Sequence, residues 1–172
     1  QIAPGALRSL VAAYQGGLGE LAGAIEQLVS DHGKRISEQE VERSTEGRVE
    51  AGAFKVADAA TAGRAAEALV LLRQALSTGT DAIPMLAALN MKVRAMARVY
   101  GARGSSGELA SAFGMAPWQV ERAQRETRGW NEGDLARAID LAAETELALK
   151  GGSRDPIYAL EKYVLFVAKR GR

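Results

Sequence analysis

Apolar residues in this chain recur at three- and four-residue spacing, with no sustained alternation, and glycines fall between the periodic stretches. That pattern dictates helices joined by tight turns and leaves no segment long enough for a strand. The expected fold class is therefore all-α. Ala, Leu, Glu, Arg and Gln, all good helix formers, fill the periodic stretches.

Two pieces are predicted. In the first, Pro4 opens a helix running to about Tyr14, and Gly16 and Gly17 break it. A second helix carries Leu18, Leu21, Ala22, Ile25, Leu28 and Val29 on one face and stops near Asp31 and Gly33. Ser37 and Glu40 have capping-box spacing ahead of a short helix through Val41, with Arg35 and Ile36 as a brief extended alternative. Residues 44–52 are polar and hold two glycines, which predicts an inter-domain linker.

The second piece starts at Phe54 with a helix to Ala62, then Gly63. A helix over 64–77 carries Ala68, Leu69, Leu72 and Leu76. Asp81 caps a long helix whose inner stripe is read as Ile83, Leu86, Asn90, Val93, Ala97 and Tyr100, with Lys92, Arg94 and Arg98 off it. Residues 101–107 form a Gly/Ser loop, followed by short helices over 108–113 and 118–127. Asn131 caps a helix to about Lys150, with Leu135, Ala138, Ile139, Ala142 and Leu149 inward. Asp155 and Pro156 open a last helix to about Lys169. Ile157, Leu160, Tyr163, Val164, Leu165, Phe166 and Val167 make that helix apolar around most of its circumference. It is either central in its own domain or shared with another chain.

Composition narrows the chemistry. The chain has 172 residues, 47% apolar and 25% charged, enough for one ordinary domain or two small ones. No apolar run approaches the ~18 residues of a membrane span. No leader peptide is visible, and a start at Gln1 rather than Met predicts a trimmed chain. There is no cysteine and a single histidine, His32, so thiol chemistry, Cys-ligated metals and most His-based catalysis lack their raw material. A net charge of +1 argues against a dedicated nucleic-acid coat.

The local motifs agree. Residues 16–19 are glycine-dense but lack the Lys and preceding strand of a phosphate loop. Residues 104–107 carry serines with no histidine partner. His32 beside Asp31 reads as a helix-end residue near free carbonyls rather than a general base. Glu38, Glu40 and Glu42, and likewise Glu144 and Glu146, read as solvated or helix-start charges, because no E-x-x-H pairing accompanies them. Trp118 and Trp130 flank one short helix and read as packing residues. No catalytic, metal or cofactor-binding residue is predicted.

Residues 108–122 match a helix-turn-helix unit, with small Ala110 at the crossing, Gly114 at the turn and Val120 packing back. If such a unit read DNA, Gln119, Arg122 and Arg125 would face the major groove. Glu121 and Glu126 on the same helix oppose that alternative, a helix-turn-helix DNA-binding regulator. A small-molecule enzyme in a helical bundle is a third reading, the one with least residue support.

Taken in order, several landmarks resemble the delta subunit of the bacterial DNA polymerase III clamp loader. Residues 24–31, with the run from Gln27 to Asp31, are similar to its lid domain. The stretch from Phe54 to Ala59, Gly63, and the run from Ala68 to Arg73 are similar to the start of its C-terminal collar domain. Residues 110–120 resemble that domain's short helix pair. Residues 147–152, then Asp155, Pro156, Ala159, Leu160 and Glu161, resemble its closing segment.

The resemblance implies an AAA+-type helical lid over residues 1–50 and a helical collar for oligomerisation over 51–172. It implies a fragment whose clamp-opening N-terminal domain is absent, and a subunit that does not hydrolyse ATP. Residues 16–20, with Gly19 near the place where related ATPases carry a nucleotide-sensing arginine, hold no arginine. The implied role is the non-catalytic assembly portion of the loader that places the sliding clamp on primed DNA. The parent assembly, DNA polymerase III, is a DNA-directed DNA polymerase. Implied partners are the gamma/tau ATPase and delta-prime type subunits, with the clamp reached only through the absent domain and DNA only indirectly. No cofactor or membrane is implied, and the location is cytoplasmic. Ile157, Tyr158, Leu165 and Phe166 are the candidate contacts with neighbouring subunits.

Overall fold

The computed structural model describes residues 2, 4–13, 18–33 and 36–171. Its helices are α1 (Pro4–Ala13), α2 (Leu18–His32), α3 (Glu38–Thr61), α4 (Ala65–Ser77), α5 (Ala82–Val99), α6 (Ser106–Phe113), α7 (Pro117–Glu126), α8 (Glu132–Leu147) and α9 (Pro156–Ala168). A π-turn (Ala148–Gly152) ends α8. The described residues hold no strand; one isolated bridge joins Ile2 and Ile36. The all-α expectation holds. The expected breaks at Tyr14, Gly16 and Gly17, and the extended reading of Arg35, lie outside the described residues, as does the Glu42 side chain.

The caps explain most of the boundaries. Ser37 and Glu40 form the reciprocal capping box of α3: Glu40 Oε2 accepts from the Ser37 amide at 2.7 Å, and Ser37 Oγ accepts from the Glu40 amide at 3.4 Å. Ser105 and Glu108 do the same for α6. Asp81, Asn131 and Asp155 each accept an amide hydrogen bond at the start of α5, α8 and α9. Gly63, at φ +82°, ends α3, with the Arg64 amide returning to the Ala59 carbonyl at 2.9 Å.

One expectation fails here. Residues 44–52 are not a linker; they are the middle of α3, which runs unbroken for 24 residues. Gly47 and Gly52 each cost a helix interior about 1 kcal/mol relative to Ala. The helix survives because both of its ends are packed. Val41 is buried with Ala6, Leu10, Leu28 and Ile36 in a small N-terminal core, while Ala53, Val56, Ala57, Ala59 and Ala60 are buried in the main core. Tertiary burial overrides the weak local propensity.

The main core is a ring of helices in which α3 touches α4, α4 touches α9, α9 touches α8, α8 touches α5, and α5 returns to α3. Helix α9 also meets α3 and α5, so it is the central element of its own bundle. Leu160, Tyr163, Val164 and Val167 are buried in it. Much of its apolar circumference therefore fills this chain's own core, while Ile157 and Tyr158 stay exposed. A third, smaller core gathers Val99, Leu109, Ala110, Val120 and Ala123, which seats α6 and α7 on the end of α5.

Two helices are rotated relative to the faces their periodicity predicts. On α5, Leu86 and Val93 are buried as expected, but Ile83 and Tyr100 are exposed and Met85, Leu89, Lys92, Met96 and Val99 complete the inner face. On α8, Leu135, Ala138 and Ala142 point inward with Leu141 and Thr145, whereas Ile139 is exposed.

Candidate functional site

The most constrained polar cluster joins three helices. Lys92 on α5 is 9% exposed, and its Nζ sits 2.7 Å from Asp58 Oδ1 on α3 and 3.0 Å from Glu126 Oε1 on α7. Arg122 reaches the same carboxylates, with Nη2 2.6 Å from Asp58 Oδ1 and Nε 3.2 Å from Glu126 Oε1. Thr61 Oγ1 donates toward Glu126 Oε1 at 3.1 Å. Two cations and two carboxylates cancel in place, which makes partial burial tolerable. Burial pushes the Asp58 carboxyl up, but hydrogen bonds from Arg122 and Lys92 outweigh it and hold it below its ordinary value. The Arg122 guanidinium is raised chiefly by its hydrogen bond to Asp58.

This cluster bears directly on the helix-turn-helix expectation. The local fold is as read: Gly114 takes the left-handed conformation, Ala110 is buried, and Val120 and Ala123 pack back. The side chains expected to face DNA are otherwise employed. Arg122 is committed to Asp58 and Glu126, and Gln119 accepts a hydrogen bond from the Ala116 amide at 2.8 Å, capping α7. Arg125 is exposed. An arginine held by two carboxylates does not present its fork to a base edge.

Beside the cluster lies an open groove of about 820 Å³ lined by α3, α5, α7 and the end of α8. Lys92 and Arg122 form part of its wall. Phe54 from α3, Ile83 and Met91 from α5, and Trp118 from α7 supply exposed apolar surface. Trp118 is 62% exposed, whereas Trp130 is 6% exposed and meets Phe166 edge-on at 6.4 Å. Only Trp130, then, behaves as the packing residue that both tryptophans were expected to be. The Asn90 Oδ1 atom, also in this groove, is buried without a hydrogen-bond donor among the described residues. The groove was not legible in the sequence, because it requires the rotated face of α5. The signal available was the polar run Asn90, Lys92, Arg94 and Arg98, from the middle onward of a helix whose first turns are apolar.

The candidate contacts on α9 divide into two kinds. Ile157 and Tyr158, in its first turn, are exposed, and Tyr158 is covered on one face by Lys162 Nζ at 5.9 Å. Leu165 and Phe166 are half-buried, and Phe166 packs against the main core. On the same helix, Glu161 receives a two-point ion pair from Arg73 on α4, 2.6 Å and 3.0 Å. That hydrogen bond holds the Glu161 carboxyl below its usual range.

The remaining sequence candidates are structural. His32 is the last residue of α2, with Nδ1 3.6 Å from Glu40 Oε1, and Asp31 is engaged by the Gln27 amide rather than by the imidazole. Glu144 pairs with Arg137 and Glu146 with Lys150. Gly19 sits in the first turn of α2, and Gly16 and Gly17 lie outside the described residues. Among the described residues, no group of three or more His, Asp or Glu is placed to hold a metal ion, and no helix is long and apolar enough to cross a membrane.

The family model described as "DNA polymerase III delta subunit, C-terminal domain" matches residues 50–167. The chain belongs to this family. Its fold is similar to that of the Bacillus subtilis DNA clamp loader delta protein, with a TM-score of 0.60 and 22% identity over 99% of this chain. The match covers 52% of that protein, so the chain spans about half its length. No curated protein matches at a significant level. Within the family match, α4 to α8 fall wholly inside the matched span, and α9 falls inside it but for its last residue.

Proposed function

We propose that this chain is the lid and collar portion of a clamp-loader delta subunit, a non-catalytic assembly module acting in the cytoplasm during DNA replication. The family match over residues 50–167 carries the reading. Two of the three apolar cores support a division near residue 50: Val41 belongs to the N-terminal core and Ala53 to the main one. The collar, residues 51–172, holds neighbouring gamma/tau-type and delta-prime-type subunits at fixed spacing while those ATPases change shape. The clamp is engaged by a preceding domain of the full-length subunit. On α9, exposed Ile157 and Tyr158 supply apolar adhesion, and Leu165 and Phe166 support them from the core side.

Size-exclusion chromatography with partner loader subunits tests this. The chain is expected to co-elute with them, and Ile157→Asp with Tyr158→Asp is expected to weaken co-elution about tenfold, since exposed apolar anchors dominate such contacts. A folded chain that never co-elutes defeats the assembly reading. Co-elution that is insensitive to the α9 pair moves the contact elsewhere on the collar.

A further inference from the structure

The groove between α3, α5 and α7 has a polarity that its lining residues define. Along the outer stripe of α5, Ile83, Ala87 and Met91 occupy the first turns and Arg94 and Arg98 the last, all lining the groove. Residues three and four apart share a helix face, so this is one stripe, apolar at one end and basic at the other. Phe54 and Trp118 add exposed apolar surface from the flanking helices.

The charges decide what fits. Lys92 and Arg122 are neutralised by Asp58 and Glu126, and Lys150 by Glu146 at 2.6 Å. Arg94 and Arg98 remain, and neither makes a hydrogen bond or close ion pair among the described residues; Arg94 acts on Glu146 only at longer range. A surplus of two positive charges at one end of an apolar trough complements carboxylates carried on a greasy segment. It poorly suits a nucleic-acid backbone, whose regularly spaced phosphates need a run of unpaired cations, whereas here only Arg94 and Arg98 stand beside a largely apolar trough.

We propose that this groove docks an amphipathic helix of a partner protein, apolar over one half and acidic over the other. The apolar half lies against Ile83, Ala87 and Met91, and the acidic half pairs with Arg94 and Arg98. The proposal concerns a different face from the α9 contact and stands apart from the assembly reading.

The probe is a fluorescein-labelled helical peptide of the same 18 residues' length as α5. It carries Leu at i, i+4 and i+7 in one half and Glu at the equivalent positions of the other. Anisotropy is expected to rise saturably, with a blue shift in tryptophan emission that disappears in Trp118→Phe while Trp130 stays as a constant background. Arg94→Glu with Arg98→Glu is expected to weaken binding about tenfold or more, the behaviour of charges that steer and pair at an interface rim. The Ile157→Asp, Tyr158→Asp chain is expected to bind the probe unchanged, and circular dichroism checks that each variant is folded. Equal binding of a peptide with Lys in place of Glu overturns the proposal, as does unchanged affinity in the arginine double variant. A DNA duplex whose binding falls with that double variant, with no peptide binding, also overturns it and assigns the groove to nucleic acid.

Discussion

Lys92 illustrates how a single side chain can fix the relation between three helices. Its ammonium is nearly out of water and is opposed by Asp58 and Glu126 from two other elements. Removing it leaves two carboxylates sharing only Arg122. Lys92→Met is expected to destabilise the chain by about 2–4 kcal/mol, measured by urea denaturation, because breaking a buried pair strands its partners. Asp58 sets a pH dependence of known sign. Its folded-state pKa lies below the ordinary 3.8, so its contribution is fully present above 3.8 and is lost as pH falls through the lower folded value. Asp58→Asn is expected to flatten the acid limb of the stability curve below about pH 4, read by thermal melts across pH. Sequence alone places Lys92 off the inner stripe, since a lysine in a helix is normally solvated. Its opposite charges lie 34 residues away on one side and 34 on the other, and no local pattern carries that pairing. The Tyr163 phenol shows the same limit: burial raises its pKa well above the usual range, and its hydroxyl has no partner among the described residues, whereas periodicity alone marks it only as apolar helix surface.

At the scale of elements, capping chemistry was readable and helix continuity was not. The Ser37/Glu40 box, the Asp81 and Asn131 caps, and the Asp155–Pro156 start all fall where their residue types require. Such signals act within four residues, so sequence contains them entirely. Helix α3 is different: its polar, glycine-bearing middle looks like a linker, and only burial of both ends makes it a helix. A Cβ at Gly47 or Gly52 would meet no neighbour within 4 Å. Gly47→Ala is therefore expected to stabilise the chain by about 0.5–1 kcal/mol in chemical denaturation, by restricting the unfolded chain and improving propensity. Gly114 makes the opposite case. At φ +62° it turns α6 into α7, and Gly114→Ala is expected to cost about 1–2 kcal/mol even though the surrounding space is open. The phases of α5 and α8 escape a periodicity argument because several adjacent faces of each helix are rich in small and apolar residues. Periodicity then fixes the period but leaves the rotation to tertiary contacts.

For the molecule as a whole, the sequence conveyed the all-helical class, while the structure supplied three apolar cores and the ring of helices that includes α9. Because α9 meets four other helices, truncation before Pro156 is expected to abolish cooperative melting of the entire main bundle. The N-terminal core is small, built on Ala6, Leu10, Leu28, Ile36 and Val41. Leu28→Ala is expected to raise hydrogen exchange in α1 and α2 by an order of magnitude or more while α9 amides keep their protection, a test of whether the two cores open independently. Helix α3 spans the N-terminal and main cores over about 36 Å, at 1.5 Å per residue for its 24 residues. These two cores thus share a stiff spine in place of a slack tether. Reorienting one against the other demands flexure of that rod near its glycines, so a push delivered at the amino-terminal end arrives at the far bundle as leverage.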